Sequence, residues 1–129
     1  MGIEVVMEWV AKAEEDREAA LRLLEGKPET VANVIAFHAE QTAEKYLKAL
    51  LLSMGKEPPP IHLLGVLIDL LALSHPEVEH HREDADVLSR FAVRFRYPGA
   101  SATVEEAKDA VERAERIRAF ARNKLGLAG

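Results

Sequence analysis

The sequence predicts an all-α fold: an antiparallel up-and-down helical bundle with four main helices plus a short extra helix. Three observations predict it. Ala, Leu, Glu, Arg and Lys dominate the composition, and strictly alternating β-branched runs are absent. Apolar residues recur at helical spacing through several long segments. The connections between those segments are short and carry Gly or Pro, which makes sequence neighbours antiparallel. At 129 residues the chain fits a single domain, residues 1–129, large enough to bury a core without staples.

The first helix is expected over residues 3–24, with Val6, Val10, Ala13, Ala20, Leu21 and Leu24 near one face; Gly26, Lys27 and Pro28 end it. Thr30 can cap a second helix that runs to about Met54. Gly55 and the prolines Pro58, Pro59 and Pro60 then force an extended connection. A third helix, residues 63–73, reads as apolar nearly all round and is expected to be deeply buried. Ser74 and Glu77 are spaced as a capping box with Pro76 in the first turn, so a fourth helix starts at Glu77 or Arg82 and continues to Phe95. Tyr97, Pro98 and Gly99 make a turn. Thr103 and Glu106 form a second capping box and open a last helix to about Leu125.

Composition narrows the function classes. Net charge is −5, so any phosphate-binding surface must come from a local cluster. Aromatic residues are few, which disfavours stacking platforms for single strands. There is no cysteine, so disulfides and thiolate chemistry are excluded. No apolar run is long enough to span a membrane, and the first residues lack a basic n-region and cleavage site. A cytoplasmic protein is expected.

Within the second helix, FHAEQTAEKYLKALL carries a polar stripe through an Ala-rich apolar run. His38, Gln41, Lys45 and Lys48 share one quadrant of the helical wheel. Two readings stand: the stripe is the wet side of a central helix, with Glu44–Lys48 an ordinary i,i+4 pair, or it is a site. A second cluster, RFAVRFRYPG, places Arg90 and Arg94 four residues apart with Arg96 following. These cations either complement a helix C-terminus or form an anion site. His62, at the start of the third helix, could cap it or turn toward the stripe. His75, His80 and His81 with Glu77 and Asp84 read as a solvated face rather than a metal site, since Glu77–His81 and His80–Asp84 lie on adjacent faces. No phosphate loop, nucleophile elbow or HExxH motif is present, and no metal or cofactor is expected.

The order of these features resembles the HEPN domain family (higher eukaryotes and prokaryotes nucleotide-binding) in its small prokaryotic form. The matching pieces are Trp9 in an Ala-rich first helix, FHAEQTAEKYLKALL, a G-K-x-P with IHLL, RYPG, and T-x-E-E-A at the last helix. The resemblance implies a helical bundle, self-association often as a homodimer, and pairing with a minimal nucleotidyltransferase in toxin–antitoxin-type systems. It maps His38, Gln41, Lys45, Lys48, His62, Arg94, Arg96 and Tyr97 onto the recurrent polar positions. Lys45, Lys48 and Arg96 then take a phosphate-binding role, and Tyr97 hydrogen-bonds or stacks.

Many members of that superfamily are metal-independent ribonucleases whose signature is an Arg followed four to six residues later by a His. Arg17, Arg22, Arg82, Arg90, Arg94 and Arg96 all lack a His at that spacing. Without that pair, one locus lacks both the phosphate-steadying charge and the proton carrier. The expectation is a non-catalytic protein that binds nucleotide or nucleic-acid phosphate and pairs with a nucleotidyltransferase. The alternatives are a pure dimerisation module, or a ribonuclease with a rearranged site in which His38 or His62 acts with Arg94 or Arg96.

Overall fold

The computed structural model describes residues 2–93 and 98–129, and regular secondary structure there is entirely helical. The elements are α1 (Ile3–Glu25), α2 (Ala32–Ser53), α3 (Leu64–Ala72), α4 (Arg82–Val93) and α5 (Val104–Leu125), with 3-10 turns at Pro28–Thr30 and Pro76–His81.

Side-chain pairs fix the directions of the helices. Glu14 meets Arg118 and Arg17 meets Glu115, so α1 and α5 are antiparallel. Asp16 meets His38 and Lys45, while Glu14 meets Tyr46, so α1 and α2 are antiparallel too. Asp84 receives Arg113 and Arg116, and Glu77 receives Lys124, which sets α4 against α5 in the same sense. The four long helices therefore alternate, and the short α3 is the extra element. Ser89 Oγ accepts from Leu64 N at 2.9 Å and Asp69 takes Arg82 at 2.5 Å, which lays α3 antiparallel along α4.

Helix α2 is central, touching α1, α3, α4 and α5. Its apolar residues Ile35, Ala36, Ala43, Leu47, Leu50 and Leu51 join Leu64, Leu67, Ile68, Leu71, Leu88 and Ile117 in the main core. A smaller cluster pairs Val6, Val10 and Ala13 of α1 with Tyr46, Ala49 and Leu52 of α2 and Ala121 of α5, under Trp9. The small side chains of α2 let four neighbours approach closely, while its leucines fill the gaps between them.

Helix ends show where local chemistry decided the outcome. The Thr103–Glu106 capping box forms, with Thr103 Oγ1 accepting from Glu106 N at 3.0 Å and Glu106 Oε1 accepting from Thr103 N at 2.9 Å. Thr30 does not cap α2. Its hydroxyl donates to Lys27 O inside the Pro28–Thr30 turn, and the cap position passes to Val31. The Ser74–Glu77 box is likewise not formed, because Pro76 starts a six-residue 3-10 turn capped by His75 without a side-chain bond.

The third helix departs from expectation in a way that matters. Leu64, Leu67, Ile68 and Leu71 are fully buried, but Leu63 is 60% exposed, Val66 37% and Leu73 78%. On a wheel of about 100° per residue, these three and the half-buried Leu70 occupy an arc of about 80° turned away from the buried face. Apart from Asp69 the helix is apolar nearly all round: one face is fully in the core, Leu70 is partly packed against it, and Leu63, Val66 and Leu73 remain exposed. Among the described residues, no helix is long and apolar enough to cross a membrane.

Candidate functional site

The polar stripe of α2 is neither a wet surface nor an open cationic site. Its members pair with carboxylates in two adjoining groups. In the first, Asp16 of α1 receives both His38 Nδ1 at 2.8 Å and Lys45 Nζ at 2.5 Å, one on each carboxylate oxygen. Asp16 is itself buried, at the edge of the α1–α2 contact. In the second, Glu44 receives Lys48 Nζ at 3.2 Å and His62 Nδ1 at 3.0 Å. Since Glu44 accepts, His62 carries its proton on Nδ1 in this arrangement. Lys48 is only 6% exposed, and its ammonium lies 5.8 Å from the Trp9 ring centroid.

Between the groups sits Glu40, fully buried on α2 one turn before Glu44. Gln41 Nε2 donates to Glu40 Oε1 at 2.7 Å, while Oε2 has no protein partner. Burial pushes the Glu40 carboxyl up to about 8; the neighbouring Glu44 carboxylate adds to the shift, and Gln41 and Lys48 oppose it. Glu40 is therefore a neutral acid at pH 7, and the Glu44 charge is left to Lys48 and His62. The network has a mechanical consequence, because His62 ties the extended connection after α2 back onto that helix.

A third polar group flanks the smaller core. Tyr46 donates to Glu14, whose other contacts come from Arg118, and Arg122 Nη1 donates to Tyr46 Oη at 3.0 Å. Arg118 and the Tyr46 hydroxyl hold the Glu14 carboxyl below its ordinary value against the effect of burial.

Of the residues singled out in the sequence, the structure brings His38 and Lys45 together on Asp16, and Lys48 and His62 together on Glu44. Gln41 joins through Glu40. Arg94, Arg96 and Tyr97 lie outside the described residues. Arg90 is exposed on α4. The histidine-rich turn holds His75 against Glu77 at 3.7 Å and His81 against Asp84 at 3.7 Å, not the i,i+4 pairs its spacing suggests. Among the described residues, no three His, Asp or Glu side chains converge as a metal site.

Sequence reasoning missed Asp16 and Glu40, and both left a signal. Asp16 falls on the α1 face of Val6, Val10, Ala13 and Ala20, and Glu40 falls on the α2 face of Ala36, Ala43 and Leu47. A lone acid on an apolar face needs a partner or a proton.

Two clefts adjoin these elements. One, about 600 Å³, lies between α3 and α4 and is lined by Leu63, Val66, Asp69, Arg82, Asp86 and Arg90 among others. The other, about 370 Å³, lies over Trp9, Lys48 and Leu52 beneath the three prolines.

A four-helix bundle with a short fifth helix, a buried acid–base network on its central helix and an uncovered apolar helix face defines a small α-helical domain. The HEPN domain family model matches residues 6–124, and the chain belongs to that family. Its fold is similar to the crystal structure of TT1696 from Thermus thermophilus, at 28% identity and a TM-score of 0.81, covering 92% of this chain and 97% of that one. It is also similar to ST0689, an archaeal HEPN homologue, at 25% identity and a TM-score of 0.75, covering 92% and 96%. No curated protein matches the chain.

Proposed function

We propose that this chain is a non-catalytic HEPN binding module that self-associates through the α3–α4 face. The supporting observation is the exposure of Leu63, Val66 and Leu73, with Leu70 half-buried against the core, along one side of α3 and its two caps. Beside it on α4, Asp86 and Arg90 are exposed, four residues apart and opposite in charge. A two-fold axis across the face sets Asp86 of one copy against Arg90 of the other and repeats the pair on the far side. Such a patch is complementary to itself, as an isologous interface requires.

In this reading the dimer is the form that engages a minimal nucleotidyltransferase, in a toxin–antitoxin-type pair in the cytoplasm; that partner class rests on the family resemblance. The absence of catalysis rests on the missing Arg–His spacing. Binding of nucleotide or nucleic-acid phosphate at the stripe has less support from the geometry. Lys45 and Lys48 each already hold a carboxylate, so a phosphate there must displace Asp16 or Glu44. The same holds for a rearranged ribonuclease site, since His38 and His62 are each bonded to one of those acids.

Sedimentation velocity tests the proposal. The wild type is expected to sediment as a dimer. Val66→Glu and Leu73→Glu shift it to monomer by weakening association about tenfold or more, as expected for charges forced into the apolar centre of an interface. Circular dichroism should stay unchanged, because both side chains already face outward. A wild-type monomer at tens of micromolar, or variants that associate as well as wild type, would contradict the proposal.

A further inference from the structure

The cleft of about 600 Å³ between α3 and α4 carries two charged side chains that the fold itself does not use. Asp86 and Arg90 both line it, and both are exposed. They stand four residues apart on α4, the spacing at which an acid and a guanidinium ordinarily pair. Here neither makes an ion pair or hydrogen bond among the described residues. Asp86 leans toward α3 instead: a Cβ at position 65 would lie 3.2 Å from its Oδ1. That space is open because Gly65 has no side chain.

The charges are sorted along the cleft. Near Asp86, the guanidinium of Arg82 is already taken by Glu79 and Asp69, so the Asp86 carboxylate lacks a counter-ion and that end is negative. Arg90 lies one turn further along α4. Next to it is Ser89, whose Oγ accepts from Leu64 N and keeps its own proton to donate. The exposed side chains of Leu63 and Val66 line the same cleft. A bare anion gains Arg90 but faces the acidic end, and a bare cation gains Asp86 but faces Arg90. A ligand with both charges and an apolar side chain satisfies Asp86, Arg90 and the two aliphatic residues together. The volume is that of a small-molecule site.

We infer that the α3–α4 cleft binds a small zwitterion with an apolar side chain, its ammonium on Asp86 and its carboxylate on Arg90 and Ser89. Free aliphatic amino acids and short dipeptides share that chemistry and differ in the separation of their charges. One consequence rests on self-association through this face. A bound zwitterion neutralises within one copy the charges that a second copy would pair, so it opposes the dimer.

Heteronuclear NMR titration of the full chain with leucine and with glycyl-leucine tests the inference. At least one should give saturable shifts at Gly65, Asp86 and Arg90, with a dissociation constant on the order of millimolar, since exposed charge pairs are individually weak. Leucinamide, which lacks the carboxylate, and isocaproate, which lacks the ammonium, should each bind about fivefold more weakly. Asp86→Asn and Arg90→Gln should weaken binding by a similar factor and leave the thermal melt unchanged, because both side chains are exposed. In sedimentation velocity, the bound zwitterion should shift dimer toward monomer. Absence of saturable binding by either zwitterion overturns the inference, as does equal binding of leucinamide or isocaproate. A wild type that is monomeric without ligand, yet binds leucine through Asp86 and Arg90, fails the self-association reading alone. A dimer that binds neither zwitterion fails this inference alone, and a dimer that binds one without dissociating overturns the competition.

Discussion

Replacing Glu44 with alanine should cost about 3–5 kcal/mol of stability, the range for removing one partner of a buried ion pair. The reason is what the variant leaves behind. Lys48 is almost fully buried, and without Glu44 its charge loses its hydrogen-bonded counter-ion and is left beside the Trp9 ring and a neutral Glu40. His62 also loses its anchor, so the connection carrying the three prolines is released from α2. Ionisation of Glu40 beside Lys48 would return part of the loss, which places the expected value toward the lower end. The double variant Glu44→Leu/Lys48→Met removes both charges and should recover most of the stability, because a buried pair replaced by apolar groups is often neutral or better. Urea denaturation followed by circular dichroism measures both. A single-variant loss under about 1 kcal/mol would mean that Lys48 is solvated, contrary to the structure.

Glu40→Gln should stabilise the protein, and the gain should grow with pH. The folded carboxyl titrates at about 8, against an ordinary value of 4.5. Below the ordinary value both folded and unfolded states hold the proton, and the acid carries no penalty. As pH rises from about 4.5 toward 8, the unfolded state releases its proton while the folded state keeps it, so stability is progressively lost. The loss approaches ~1 kcal/mol or slightly more per pH unit in that window and levels off above it, where both states are ionised. Glutamine keeps the shape and can still accept from Gln41, yet it does not titrate. Melting curves of the two proteins should nearly coincide near pH 4.5 and diverge steadily toward pH 8, with the variant the more stable. Parallel curves across that range would show that the Glu40 carboxyl is not held neutral.

Much of the fold was legible because its signals are local. The Thr103–Glu106 box sets the start of α5 from a few adjacent residues, and the alternation of α1 and α2 follows from a short Gly-Pro connection. The misread caps at Thr30 and Ser74 have a common cause. In each case a nearby proline, Pro28 or Pro76, nucleated a 3-10 turn that used the same residues first. The stripe of α2 could be placed on a wheel, but a wheel gives direction and not partner. Asp16 lies more than twenty residues before His38, and nothing in the spacing of α2 shows that α1 delivers a carboxylate there. The outward face of α3 was hidden for a different reason: an apolar side chain looks the same in sequence whether it meets this chain's core or another surface.

The central claim is that the α3–α4 face pairs with a second copy of itself, and a charge-swap series tests it most directly. Sedimentation of wild type, Asp86→Arg, Arg90→Asp and the double variant distinguishes a self-complementary surface from any other apolar patch. Each single variant sets like charges against each other twice across the two-fold and should weaken the dimer. The double variant restores both pairs with their signs exchanged and should return association close to the wild-type level. Two weakened single variants with a double variant no better than either would contradict the claim.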